Sequence, residues 1–438
     1  MRTIVFSAAT PPVVLAVLAA VFVAGCTGDD TNAPAPPGSD AGADVTVPSD
    51  SGGQDSAAPD AASLPPDLLL SYEFENSQSA HEIEFGAFDL GSATEVGHLQ
   101  YPAGFAGGTN VSTSAAPWVL QQANDIVMRM DPTHPWIPTS TWSVASPQDG
   151  GYAYTDPSSV AETATTAYVP LYNRDHIAVL DTTAVADGGA PSTTIDLSAL
   201  QQSGDTDGTV EATAAFYDPS TKYVWVVLQN IDEDTVTAAS NYNLLCVPGL
   251  TSTVIAIDTT SGGLVSGKTY TLHGVDPVSS VFDAANERLL LLNAGCYDPS
   301  DAGADAGPGP LVGRLVEALD LTSGVSTVLY DGTSQGYPGS LVYVDAHHAF
   351  VSFSGATYAW DPTTMTLGET ITNAPDVYVW DGKGLLGPKT SFLDDGGVAE
   401  ISVIEVSPAN VVTAVGMNPV TEPQAGGFWT GADLWPHP

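Results

Sequence analysis

Basic side chains are nearly missing from this sequence. Nine Lys and Arg stand against 51 Asp and Glu in 438 residues, giving a formal charge of −42. That balance excludes the electrostatic footprint of a nucleic-acid binder, and of a protein that docks directly on anionic lipid. Cysteine is scarce too, with only Cys26, Cys246 and Cys296. After residue 23 no apolar run approaches the roughly 20 residues that a membrane-spanning helix needs. No His-Glu-x-x-His zinc pair occurs, and the eight His are scattered. The one adjacent pair, His347-His348, follows Asp345 and reads as a solvated turn, not as zinc ligands. Helix-favouring Lys, Glu and Arg are few, while Gly, Thr, Ser, Val and Asp abound. Apolar stretches are short and broken by Gly, Pro or Asp, which points to an all-β body.

The amino terminus is organised differently. Residues 1–25 carry one charge, Arg2, and Val13 to Val23 are all apolar. This is the size of a signal-peptide core and too short to span a bilayer. It ends in Val23-Ala24-Gly25-Cys26, which resembles the lipobox of bacterial lipoproteins. The resemblance implies cleavage before Cys26, lipid on its thiol and a membrane anchor; the alternative is a secretory signal with an incidental cysteine. Residues 27–66 contain seven Asp, no aromatic residue and no Lys or Arg. Such a segment has too little apolar surface to offset its ordering entropy and is expected to be a disordered tether. Its composition is similar to tethers of myxobacterial-type surface lipoproteins. The expected layout is signal 1–25, lipidated Cys26 with tether 26–66, and a folded domain 67–438. The expected location is the cell envelope, with Thr27 favouring the outer membrane.

One pattern recurs through the body: a β-rich run ending in Asp, then a turn. The runs are Ile83–Asp89, Ile126–Asp131, Ile177–Asp181, Val254–Asp258, Leu315–Asp320 and Thr357–Asp361, with Ile401–Val406 as a last copy lacking the Asp. The repeat Asp residues are Asp89, Asp131, Asp181, Asp258, Asp320 and Asp361. Their role is structural, because each carboxylate can accept a backbone N–H two residues on and fix the turn. A second element, strand–Asp turn–strand, surrounds Asp218, Asp283 and Asp345. The shortest repeat spacings, 41 and 42 residues, match one four-stranded propeller blade. Here the chain resembles YVTN-type β-propeller repeats, through Tyr168-Val169-Pro170-Leu171-Tyr172-Asn173 and the equivalent stretches Trp225 to Asn230 and Leu289 to Asn293. The resemblance implies a β-propeller, with seven four-stranded blades as the best count; an array of β-sandwiches is the structural alternative.

Two neighbouring units are longer than the rest. From turn Asp to strand-end Asp is 16 residues for Asp345 to Asp361, but 40 for Asp218 to Asp258 and 37 for Asp283 to Asp320. Each insertion holds one cysteine. Equivalent loops of adjacent blades lie side by side, and an exported protein meets an oxidising compartment. The expectation is a Cys246–Cys296 disulfide on a contact face, against two free thiols or a metal pair. Calcium prefers six to eight oxygens, so the acidic loops with Asp205 and Asp207, with Asp298, Asp301 and Asp305, and with Asp394 and Asp395 are candidate calcium ligands. Trp136 and Trp142 are candidates for an exposed sugar-binding surface, whereas Trp225, Trp360 and Trp380 read as core.

Three functions fit these observations. The first is a non-enzymatic binding or scaffold propeller without a cofactor, meeting a protein or glycan partner on one face. The second is a propeller enzyme of lactonase-like or quinoprotein-like type, with its site assembled from several blades. The third is a calcium-stabilised structural surface protein.

Overall fold

A computed structural model gives the fold. It describes residues 68–75, 81–89, 94–100, 108–113, 115–146, 154–236, 243–299, 309–354, 356–372, 374, 378–380, 383–392, 398–409, 411–418 and 428–434. All lie in the compact unit Pro65–Pro438. The expected signal, Cys26 and the tether fall outside the described residues, as do Asp301, Asp305, Asp394 and Asp395.

Among the described residues, seven sheets of four or more strands follow one another. In strand order, the second is Gly108–Ser112, Pro117–Gln121, Ile126–Met130 and Pro138–Ser143. The third is Ala161–Glu162, Thr166–Leu171, His176–Asp181 and Thr193–Asp196. The fourth is Ala212–Asp218, Tyr223–Leu228, Thr253–Asp258 and Gly263–Thr271. The fifth is Pro277–Asp283, Arg288–Asn293, Leu315–Asp320 and Ser326–Asp331. The sixth is Pro338–Asp345, His348–Phe353, Ala356–Asp361 and Thr366–Ile371, and the seventh is Val379–Trp380, Leu385–Phe392, Val398–Val406 and Val412–Asn418. The four strands named in each form an antiparallel meander, and the second sheet adds a fifth strand, Asp187–Gly189, parallel to Pro138–Ser143. The first sheet closes the ring: Phe428–Leu434, the last described strand, pairs with Leu68–Glu75 ahead of His81–Asp89 and Thr94–Gln100. First strands of neighbouring sheets meet one another, so they form the inner edge. This is a β-propeller, not a row of sandwiches. The Asp-terminated runs read from the sequence all fall on the third strand of a sheet.

The core explains why the apolar runs are short and continuous instead of alternating. A propeller sheet is covered on both faces, so a middle strand buries every side chain. Val224, Val226 and Leu228 pack toward Ile177, Val179 and Ile195 of the third sheet. Their neighbours Trp225 and Val227 pack toward Leu289, Leu291 and Leu319 of the fifth. Leu290 and Leu292 then face Val351, Phe353 and Trp360 of the sixth. Trp225 and Trp360 are core, as read from the sequence, but Trp142 is not an exposed sugar platform. It is 3 % exposed and stacks on Trp118 with ring centroids 5.6 Å apart, because its strand turns it into the sheet interface. Trp136 is half-buried with a T-shaped contact to His134.

Leu291→Ala is expected to destabilise the domain by about 2–5 kcal/mol, whereas Val185→Ala, at a site 85 % exposed, is expected to be silent. Urea unfolding curves of both variants check this.

Candidate functional site

Because strands alternate in direction, the chain reverses at two ends of each sheet. First-to-second and third-to-fourth turns emerge at one end, the turn face. Second-to-third loops and the links between sheets emerge at the other, the loop face.

The turn face is chemically closed. Asp131 Oδ1 accepts the Thr133 N–H at 2.7 Å and its hydroxyl at 2.7 Å. Asp181 accepts both donors of Thr183, at 2.9 and 2.6 Å, and Asp361 both of Thr363, at 2.8 and 2.6 Å. Asp258 accepts the Thr260 N–H at 2.8 Å. Asp320 departs from the expected spacing, since its donor is the Ser323 N–H three residues on, at 2.7 Å. These hydrogen bonds to the ionised form hold all five carboxyls below the usual range. Asp345 likewise accepts the His347 N–H at 2.7 Å and meets the His348 ring at 2.9 Å, with both imidazoles exposed. Asp89 ends its strand, but its side chain is outside the described set.

The loop face is built differently. Both insertions are second-to-third loops, of the fourth and fifth sheets, and Cys246 and Cys296 form a disulfide between them with Cα atoms 5.1 Å apart. Cys296–Tyr297 pairs with Leu311–Val312 in a short ribbon, and Cys246 N–H donates to the Tyr297 carbonyl at 2.9 Å. Gly295 permits this crossing: its φ is +76°, and a Cβ there would lie 2.5 Å from the Val312 oxygen. Beside the disulfide is a groove of about 430 Å³ lined by Cys246, Val247, Pro248, Asp298, Pro299 and Val312.

The staple orders an acidic centre. Thr235 Oγ1 receives the Leu245 N–H at 3.1 Å, which ties the 3-10 turn Glu233–Thr235 to the residue before Cys246. That turn presents Asp232 and Glu233. Asp205, Asp207 and Asp232 bring ligand oxygens within 4.8 Å of one another, the only such group of three among the described residues. Asp298, an equal candidate from sequence, is not part of it. Thr206 Oγ1 donates to Asp232 at 2.9 Å, and the Glu233 N–H to Asp207 at 2.6 Å. Burial, then the charge of Asp207, pushes Asp205 up to about 7. Burial also raises Asp232. This oxygen-only trio has the hard-donor chemistry of a calcium ligand set.

A second acidic set carries no sequence motif. Glu211 and Asp276 stand immediately before the innermost strands of the fourth and fifth sheets, and Asp156 stands five residues before that of the third, next to the isolated Pro157–Leu171 bridge; all three have left-handed backbone, at φ of 43°, 58° and 53°. In each case the carbonyl accepts an N–H from the residue just after the second strand: Tyr172 at 2.9 Å, Gln229 at 3.0 Å and Ala294 at 2.8 Å. Glu233 reaches this set and accepts the Tyr172 hydroxyl at 2.8 Å. Burial pushes Asp156 up to about 7, with Glu233 and Asp125 adding to it. Burial and Glu233 do the same for Asp276, against the pull of Arg314. Burial also holds Glu211 well above the usual range. The available signal was an acid ahead of an inner strand, twice as Asp-Pro, at 156–157 and 276–277.

Three stretches match catalytic patterns by spacing alone: Gly262 to Thr269 a phosphate loop, Gly332 to Gly336 a nucleophile elbow, and Gly382 to Gly387 a dinucleotide fingerprint. Each of these motifs works only where a strand leads into a helix. Here Gly263–Thr271 is an outer strand, Gly332 to Gly336 links two sheets, and Gly387 lies within Leu385–Phe392. Lys268, the would-be phosphate ligand, lies 5.5 Å from the ring centroid of Tyr270 and donates to the carbonyls of Leu321 and Thr322.

A carboxyl raised by burial binds its proton more tightly folded than unfolded, so folding takes up a proton between about pH 4 and 7 and stability falls as pH rises through that window. The thermal midpoint is therefore expected to be lower at pH 8 than at pH 5.5 in metal-free buffer. Asp156→Asn should shrink the difference; an unchanged difference in calorimetry would contradict the assignment.

No protein-family model matches the chain, and no curated protein sequence matches it. Among solved structures it is similar to a functionally unknown protein from Desulfotomaculum acetoxidans, with 13 % identity, TM-score 0.50, and 85 % of this chain and 99 % of that one covered. It is also similar to Kuenenia stuttgartiensis hydrazine synthase, at 14 % identity, TM-score 0.48 and coverages of 78 % and 91 %. Virginiamycin B lyase from Staphylococcus aureus follows at 10 %, 0.43, and coverages of 72 % and 90 %. At such identities the likeness is one of fold.

Proposed function

We propose that this chain is an envelope lipoprotein, anchored by lipid on Cys26 and carried on the 27–66 tether, whose seven-bladed propeller is a non-enzymatic binding module of the YVTN-repeat type. Its contact surface is the loop face. The observation that carries this reading is the asymmetry of the two ends. The turn face has short turns whose Asp carboxylates are satisfied locally. The loop face gathers both long insertions, their disulfide and, among the described residues, the carboxyls that burial raises. A partner there is a protein or glycan presenting positive or hydrogen-bond-donating groups, given the acidity of the surface. Photo-crosslinkers placed at Pro248 on the loop face and at Met365 on the turn face of the native chain test it in intact cells. Adducts to an envelope component are expected from Pro248 alone. Equal labelling from both faces, or none from Pro248, would count against a loop-face contact.

The Asp205, Asp207 and Asp232 trio favours a second reading, a calcium-stabilised surface protein. A ligand at a hundred times its Kd adds about 2.7 kcal/mol to stability. Calcium at millimolar concentration is then expected to raise the thermal midpoint of the wild-type chain and not that of Asp207→Asn. A shift common to both chains would reflect diffuse screening of the acidic surface.

A further inference from the structure

We propose that the Cys246–Cys296 disulfide is a redox latch on the loop face. A dithiol reductant entering by the adjoining groove opens it at Cys246, and opening releases the two loops that carry Asp205, Asp207 and Asp232. This rests on the reading of that face as the contact surface and gives it a regulation.

The two sulfurs are unequally placed. Cys296 is 3 % exposed, and the chain on either side of it is anchored. Ala294 and Gly295 donate their N–H groups to the carbonyls of Asp276 and Val275, at 2.8 and 2.9 Å, and the Asp298 N–H donates to the Pro310 carbonyl at 2.9 Å. Cys246 is half-buried and lines the groove with Val247, Pro248, Asp298, Pro299 and Val312, whereas Cys296 does not. The residues around Cys246, 243–250, are all half-buried or exposed. A segment with so little buried surface opens locally at low cost, and the disulfide is the covalent restraint on it.

That segment touches both halves of the acidic centre. Ahead of Cys246, the Leu245 N–H reaches Thr235 Oγ1 at 3.1 Å, and the same hydroxyl donates to the Asp232 carbonyl at 2.7 Å. Behind it, Val247 packs on Gly204, where a Cβ would lie 3.3 Å from Val247 Cγ1. The Thr251 N–H donates to Gln202 Oε1 at 2.9 Å, and Gln202 Nε2 to the Thr251 carbonyl at 2.6 Å. Gly204 adjoins Asp205, and Thr235 ends the turn capped by Asp232. One stapled segment is thus clamped between the two loops that meet where Asp207 accepts the Glu233 N–H.

The exchange is a pair of displacements at sulfur. A thiolate of the reductant attacks the Cys246 sulfur, the S–S bond breaks, and its electron pair leaves on Cys296, which takes up the proton that the attacking thiol gave up. The second thiol of the reductant then attacks its own sulfur in the mixed disulfide, and Cys246 leaves as a thiolate that takes the second proton. Two electrons and two protons pass to the chain, and the reductant ends as a disulfide. Cys246 lies seven residues before Thr253, which opens a buried strand, so the thiols stay near enough to reclose.

Reduction of the folded native chain with dithiothreitol, then iodoacetamide and hydrogen exchange read by mass spectrometry, tests this. Both thiols are expected to be alkylated without loss of the cooperative thermal transition, and with cysteamine as the reductant the trapped adduct should sit on Cys246. Exchange across 202–208 and 232–236 should quicken about tenfold or more, while 181–185 and 361–365 on the turn face stay unchanged. Oxidised glutathione should restore slow exchange in a sample left unalkylated. Cys246→Ser with Cys296→Ser should exchange like the reduced chain; should that pair fail to fold, the reduced wild-type chain decides. A disulfide reduced only on unfolding, an adduct on Cys296, unchanged exchange at 202–208 and 232–236, or equal quickening of the turn face would overturn the proposal. Crosslinking from Pro248 in the disulfide-bonded chain can still succeed in each of these cases, so failure here leaves the contact face standing.

Discussion

Everything in this fold depends on sheets being covered on both sides. A strand such as Tyr223–Leu228 sends alternate residues into two different cores, toward the third sheet and toward the fifth. Each sheet therefore needs both neighbours, and the first and last sheets need each other. Pairing of Phe428–Leu434 with Leu68–Glu75 meets that need by putting both ends of the domain into one sheet. The inner strands are then fixed at their ends, and whatever precedes them is held in a ring.

That constraint gives one residue type two opposite environments. On the turn face Asp sits in water with donors supplied by the next two or three residues, and its ionised form is favoured. On the loop face Asp156 and Asp276 occupy the step into an inner strand, where neighbouring sheets exclude water and the nearest charges are largely negative. Burial with like charge disfavours ionisation. The same side chain is a turn lock at one end of the sheet and a proton-holding group at the other. The disulfide lies on the second end, and through Leu245 and Thr235 it bears on the turn that carries Asp232 and Glu233.

Much of the fold was legible in the sequence because its signals are local. Runs such as Val254–Asp258 followed by Thr-Thr announce a strand and its turn within eight residues, and all the Asp-ended runs proved to be third strands. The long spacings at Asp218–Asp258 and Asp283–Asp320 announced insertions in equivalent loops, where the cysteines meet. The site was less legible because it is assembled across sheets. Asp205 and Asp207 were visible as an acidic loop, but Asp232 comes from another loop 25 residues beyond Asp207. The equivalence of Asp156, Glu211 and Asp276 is a matter of backbone position and positive φ, which a pattern of residue types does not encode. Trp142 was misplaced for a related reason: prolines such as Pro135 and Pro138 commonly mark loops, whereas Pro138 opens a strand lying between Ile126–Met130 and Asp187–Gly189, whose pleat turns Trp142 inward.

The two ends of the sheets thus hold their carboxyls in opposite states, and on this the account of the loop face stands. Carboxyl-carbon NMR titration of the metal-free chain labelled at Asp reads those states directly. Two populations are expected: turn-face resonances, assigned through Asp181 and Asp361 variants, titrating below the usual Asp range, and loop-face resonances assigned to Asp156 and Asp276 titrating near pH 7. A single population near pH 4, with Asp156 and Asp276 inside it, would contradict the claim.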